Sequence, residues 1–150
     1  MSRGTVYLGE GGQEFTKISV AKPTALLKSP LISALIDCNA ATGYINAVYV
    51  PAGAIVKAVG VYAKTALAGG SGDIDVGDST TADVYIDGLT ALAANQIAMG
   101  GEAGTNAADP HGGKYYSSEA AIRVRIIATA TAGSIRILVW HDIDDSGIFT

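Results

Sequence analysis

Two histidines, one cysteine and a few clustered aspartates are the residues of this chain whose types could support acid–base, nucleophilic or metal chemistry. Nucleophilic catalysis needs a base beside the nucleophile, and the bases on offer, His111 and His141, stand far apart in sequence. No serine lies in a Gly-x-Ser-x-Gly elbow. His111 falls in a glycine-rich stretch and reads as an exposed loop residue. His141 ends a strand on its inner parity and reads as a rim histidine. Cys38, in Leu35-Ile36-Asp37-Cys38, has no partner for an internal disulfide and reads as a small buried hydrophobe. Two distant histidines and one cysteine do not make a zinc pattern. Gly112-Gly113-Lys114 is followed by Tyr115 where a phosphate loop needs Ser or Thr.

Carboxylates are the one repeated polar feature. In Asp73-Ile74-Asp75-Val76-Gly77-Asp78 the first two aspartates project to one side of a strand, where they could share a cation. Asp142-Ile143-Asp144-Asp145-Ser146-Gly147 matches the opening of a calcium loop, with acids at positions 1 and 3 and glycine at 6. Its bidentate glutamate would fall beyond Thr150, so a neighbouring chain would have to complete the site. Asp73, Asp75, Asp142 and Asp144 are thus weak metal candidates, and solvated turn carboxylates are the expectation at both places. Neither an enzyme nor a bound cofactor is expected.

The elements that would position these residues are strands. Short apolar runs broken by Gly, Pro, Asp and Asn fall at 15–20, 31–37, 44–50, 54–65, 73–76, 83–87, 120–129 and 134–141. Ile122, Val124 and Ile126 alternate with Arg123 and Arg125, a two-residue period. Only 89–99, rich in alanine, allows a short helix. About eight strands at this spacing predict an all-β fold, a jelly roll or β-sandwich, spanning 15–142. Residues 1–14, polar and glycine-rich, read as an N-terminal arm, and 143–150 as a C-terminal tail. Residues 54–65 are apolar on both parities, which predicts a central strand or one at a subunit interface. The stretch 100–113 reads as a long loop.

Composition points to partners. Of the 150 residues 49% are hydrophobic and 16% charged, and mean hydropathy is +0.31, so apolar surface is expected to face other proteins. No run reaches the ~18 apolar residues of a membrane span, and the N-terminus carries no signal-like apolar stretch. A soluble chain made in the cytoplasm follows as the expectation, with no membrane partner. A net charge of −4 with the ten Lys and Arg scattered argues against nucleic acid.

A two-residue turn at Ala132-Gly133 would make 120–129 and 134–141 an antiparallel hairpin. Ile126 would then oppose Val139 and Ala128 Ile137 on the inner face. Arg125 would meet Trp140, Ile127 Leu138 and Arg123 Asp142 on the outer one. That outer face, with Arg and Trp as favoured anchors, is either an interface or covered by this chain's own arm. The interface residues expected are Tyr7, Leu8 and Phe15 in and beside the arm, with Arg123, Arg125, Leu138 and Trp140.

Three stretches, in this order, resemble small virion proteins of tailed bacteriophages. Tyr49-Val50-Pro51-Ala52-Gly53-Ala54-Ile55-Val56 with Val59-Gly60-Val61-Tyr62-Ala63 is similar to their hairpin around an x-Pro-Ala-Gly turn. Asp73-Ile74-Asp75-Val76-Gly77-Asp78 with Ala82-Asp83 resembles their Gly-Asp…Ala-Asp strand and turn. Gly113-Lys114-Tyr115-Tyr116, 122–129, Ala132-Gly133 and 135–140 resemble their closing segment. The resemblance spans about 44–141. It implies a jelly-roll or sandwich capsid decoration (cementing) protein located in the virion. Its implied partners are the major capsid protein and copies of itself, as a homotrimer, reached through an N-terminal arm. The alternatives are a self-assembling tail, tube or fibre subunit, and a calcium-assisted surface or carbohydrate-binding module.

Overall fold

Apolar side chains at every second position force strands that bury one face each, and the computed structural model is built of such strands. It describes residues 29–39, 42–68, 74–100, 113–127 and 132–144. The strands are β1 (Leu31–Ile32), β2 (Ile36–Asp37), β3 (Gly43–Val50), β4 (Ala54–Ala68), β5 (Ile74–Gly77), β6 (Ile86–Leu89), β7 (Ile97–Met99), β8 (Lys114–Tyr116), β9 (Ala120–Ile126) and β10 (Ala132–Ile143). In the first sheet β1 and β2 lie on one edge of β10, β10 lies beside β4, and β7 and β8 share the far edge of β4. The second sheet runs β3-β9-β5-β6. Every pairing is antiparallel.

The pairings nest. Taking β1 with β2 as one edge position, and β7 with β8 as another, gives eight positions. The first pairs with the last, the second with the seventh, the third with the sixth and the fourth with the fifth. The expected all-β sandwich of about eight strands is what forms. Between the sheets lies one core, with Val59, Val61, Ile135, Ile137 and Val139 from the first sheet. Val50, Ile74, Val76, Ile122, Val124 and Ile126 face them from the second.

The double apolar parity of β4 has a specific cause. Trp140 pairs with Ala58 but His141 with Val56, so Lys57 is an extra residue in β4, a β-bulge. Ala54 and Val56 point inward before it, and Val59, Val61 and Ala63 after it. The strand is central, as its composition predicts. Both parities are apolar because the bulge exchanges them.

Three expectations fail, each for a physical reason. The hairpin of β9 with β10 does not form: β9 lies between β3 and β5, while β10 pairs with β1, β2 and β4. Ala132 and Gly133 already belong to β10, and at φ +133 Gly133 abuts Leu67, where a Cβ would fall 2.9 Å from its Cα. The anticipated pairs of Arg125 with Trp140 and of Arg123 with Asp142 are therefore absent, although the inward and outward parities hold. The helix allowed at 89–99 gives way to a turn and β7. The backbone of Leu92 exchanges two hydrogen bonds with Leu67, at 2.8 and 3.1 Å, and Asn95 donates to the Ala63 carbonyl at 2.7 Å. The free edge of the long β4 satisfies these groups, overriding local propensity. Finally, 31–37 divides into β1 and β2, because the Ser33 hydroxyl accepts the Ile137 N–H at 2.9 Å. The expected strand at 15–20, the arm at 1–14, all but the ends of the loop expected at 100–113, and 145–150 of the tail expected at 143–150 lie outside the described residues, while Ile143 belongs to β10.

Deleting Lys57 forces one half of β4 to turn its apolar residues outward, so loss of cooperative thermal unfolding is expected. Lys57→Ala keeps the bulge and loses an exposed ion pair with Asp142 at 3.4 Å, for a cost of about 0.2–1 kcal/mol. Calorimetry on the two variants distinguishes a register constraint from a charge effect.

Candidate interaction surface

The outer face of the second sheet is built on β3 and β9. Tyr44 pairs with Arg125 and Asn46 with Arg123, and a second bulge at Ala47 then puts Tyr49 opposite Ala121. Tyr44 and Tyr49 are five residues apart, which reads as opposite faces. The bulge brings both outward, at 53% and 57% exposure. The Arg123 guanidinium carbon lies 4.5 Å from the centre of the Tyr44 ring, a cation–π contact. The Tyr49 hydroxyl accepts from Asn46 Nδ2 at 3.2 Å.

On the same outward parity, directly beside Arg125, Asp75 is fully buried. Its Oδ2 receives Arg125 Nε at 2.8 Å and also Nη2, and its Oδ1 receives the Gly88 N–H at 2.9 Å. The paired carboxylate raises the Arg125 pKa, chiefly through the hydrogen bond. The expected solvated carboxylate is thus corrected. Asp75 is an internal anchor that fixes Arg125 across β5 and β9, and no shared cation with Asp73, outside the described residues, is needed to keep it there.

One row of the first sheet's outer face is apolar from edge to edge, with Arg136 and Tyr62 paired in the next outward row. Register places Ile32 beside Leu138, Leu138 beside Gly60, and Gly60 beside Met99, a row across four strands. Ile32 is 57% exposed and Ile97, next to Met99, 46%. A Cβ on Gly60 would meet Met99 Sδ at 2.9 Å, so glycine lets the methionine lie flat over β4. Trp140, half-buried, pairs with Ala58 next to this row. The single Arg/Trp face anticipated from the hairpin is therefore two: Arg123 and Arg125 on one sheet, Leu138 and Trp140 on the other. Tyr7, Leu8 and Phe15 lie outside the described residues.

A third cluster closes one end of the sandwich. Asp78, buried after β5, accepts the N–H groups of Thr80 and Thr81 at 2.9 Å each, Lys114 Nζ at 2.5 Å and the Tyr116 hydroxyl at 2.7 Å. Tyr116 is in turn 2.8 Å from the Tyr85 hydroxyl. Burial alone would raise the Asp78 carboxyl. The four hydrogen bonds, led by Lys114, outweigh it and lower the pKa to about 2. Burial, then the bonds to Tyr85 and Asp78, push Tyr116 far up. An open pocket of about 350 Å³ borders this cluster, walled by Lys114, Ser117, Ser118 and Glu119.

The remaining candidates are separate. Asp142 is exposed, and Asp144 donates its backbone N–H to the Gly53 carbonyl at 2.7 Å. Among the described residues no group of three or more His, Cys, Asp or Glu gathers as a metal site. His141 is buried, with its backbone N–H on the Ser29 hydroxyl at 3.1 Å. Cys38 is buried, and burial, helped by the charge of Asp37, raises its pKa to about 11. Tyr44, Tyr49, Ile32 and Ile97 are the surface residues that sequence reasoning missed. Bulges and long-range register, not local pattern, bring them out.

No protein-family model and no curated protein matches the chain. Among solved structures it is similar to a chain of the acidic stable capsid structure of Helicobacter pylori bacteriophage KHP30. The TM-score is 0.48 and the identity 16%, over 75% of this chain and 88% of that one. It is also similar to a chain of the cyanophage Pam1 capsid asymmetric unit. There the TM-score is 0.49 and the identity 17%, over 91% of this chain and 92% of that one. Both neighbours come from phage capsid structures.

Two outcomes follow from the buried carboxylates. Arg125→Ala strands Asp75 as a buried charge and is expected to cost about 3–5 kcal/mol. Asp75→Ala leaves a half-exposed arginine that water can solvate and costs less, so urea denaturation should rank them in that order. For Asp78 the folded carboxyl titrates near 2 and the free one near 3.8, so the ionised form favours the fold. Its contribution, about 2 kcal/mol, is fully present above pH 4 and lost as pH falls through 2. In Asp78→Asn the slope of stability against pH over that window should flatten.

Proposed function

We propose that the chain is a non-enzymatic structural protein of a phage particle, one that binds the capsid surface and cements its lattice. The observation that carries this reading is the apolar row Ile32–Leu138–Gly60–Met99 on the outer face of the first sheet. A sheet packed on a core through one face ordinarily presents polar residues on the other. Here an apolar row crosses the second face, flanked by Trp140 and Ile97, although Arg136 stands beside it on β10.

The sequence resemblance supplies the kind of partner, a phage capsid. The nested strand order supports it, since two antiparallel sheets joined in this way form the jelly roll widespread among capsid domains. The buried polar groups, Asp75 and Asp78 with their partners, serve to hold strands and turns together. Weak contacts of this kind become effective when many copies engage one closed shell.

The test is attachment of purified protein to particles that lack it. Ile32→Asp/Ile97→Asp changes two exposed residues, so the fold should be retained while occupancy falls at least tenfold. Removal of residues 1–14 is expected to lower occupancy or the heat resistance of the particle. Undiminished attachment of the Asp/Asp variant would contradict the assignment of this face, and spontaneous tubes or fibres in negative stain would contradict the cementing role.

A further inference from the structure

Among the described residues the sandwich has four sheet edges, and three are broken. β1 and β2 give two residues each on one edge, β7 and β8 three each on another, and β6 four residues including Asp87. The fourth, β3, is eight residues long and pairs only through its β9 side among the described residues. Its sequence, Gly-Tyr-Ile-Asn-Ala-Val-Tyr-Val, holds no charge and no proline. Soluble proteins ordinarily blunt such an edge with charges, prolines or short strands, because its unpaired backbone groups accept another strand.

The bulge at Ala47 gives this edge a second property. With Ala47 set aside as the extra residue, the positions run 43, 44, 45, 46, 48, 49, 50, and Asn46 is the centre. Read outward from Asn46, the first two residues on each side meet a counterpart of their own kind on the same face. Ile45 and Val48 are β-branched and inward, Tyr44 and Tyr49 aromatic and outward, Gly43 and Val50 terminal. About a two-fold axis through Asn46 each residue opposes its counterpart in the copy, so this order sets Ile45 against Val48 and Tyr44 against Tyr49. Without the bulge, the tyrosines would point to opposite faces and could not meet across the axis.

We infer that β3 pairs with β3 of a second copy about a two-fold axis through Asn46, joining the two four-stranded sheets into one of eight strands. On the outer face Tyr44 then stacks beside Tyr49 of the copy, and the reverse, giving two aromatic cross-strand pairs. Arg123 already holds the Tyr44 ring from behind, so little side-chain freedom is lost on pairing. This contact stands on the fold alone and uses the sheet opposite the proposed capsid-binding face, so either can fail without the other.

Asn46→Cys is the direct test, because on the axis the two introduced sulfurs face each other. Directly opposed strand residues lie about 4.5–5.5 Å apart at Cα, within disulfide reach. Mild oxidation of the full chain should give a covalent dimer of the Asn46→Cys variant but not of Lys64→Cys, an exposed position on the other sheet. In sedimentation equilibrium, Tyr44→Lys/Tyr49→Lys, which opposes lysines across the axis, should weaken association at least tenfold. Tyr44→Lys/Tyr49→Glu, which opposes lysine to glutamate, should restore it. Both sites are more than half exposed, and circular dichroism verifies that the variants fold. Equal cross-linking at positions 46 and 64, or association indifferent to the lysine pair, would overturn the inference.

Discussion

A single strand, β4, has to satisfy neighbours on both sides over fifteen residues, and the first sheet exists because it does. One side pairs with β10 from Ala54 to Ala68, and the other with β8 at its start and β7 further along. Twist accumulates along so long a ladder, and a bulge absorbs it. Placed at Lys57, the bulge also exchanges the faces of β4, so that Val56 and Val59 both reach the core. The apolar outer row and the closure of the sandwich follow from that one extra residue.

Buried charge serves geometry. Asp75 ties β5 to β9 through Arg125 and to β6 through Gly88; Asp78 ties the turn after β5 to β8 through Lys114 and Tyr116. Each carboxylate is taken out of water and given several donors, which for Asp78 outweigh burial and lower its pKa. Such anchors specify which strands meet in a fold whose apolar residues, mostly Val and Ile, are interchangeable by shape. The outer faces are thereby held rigid, and a rigid surface loses little freedom when it binds.

Much of this was legible in the sequence. Alternation in 120–126 and 134–141 predicted which residues of β9 and β10 point inward, and Pro51-Ala52-Gly53 marked the passage from β3 to β4. Parity is a local property and survived. Pairing is not, and the supposed hairpin of β9 with β10 failed because each strand has a better partner distant in sequence. Bulges hid two further features. They made β4 look apolar on both sides, and they separated Tyr44 from Tyr49 by an odd spacing that reads as two faces. Asp75 looked like a solvated turn acid because its partner, Arg125, lies fifty residues away.

The most direct measurement of the proposed role is hydroxyl-radical footprinting of the chain, free and attached to particles. Met99 and Trp140 report on the outer face of the first sheet, since sulfur and indole react readily and both are half-buried rather than sealed. If this face seats on the capsid, both should lose most of their reactivity on attachment. Unchanged oxidation of Met99 and Trp140 in the bound protein would contradict the account.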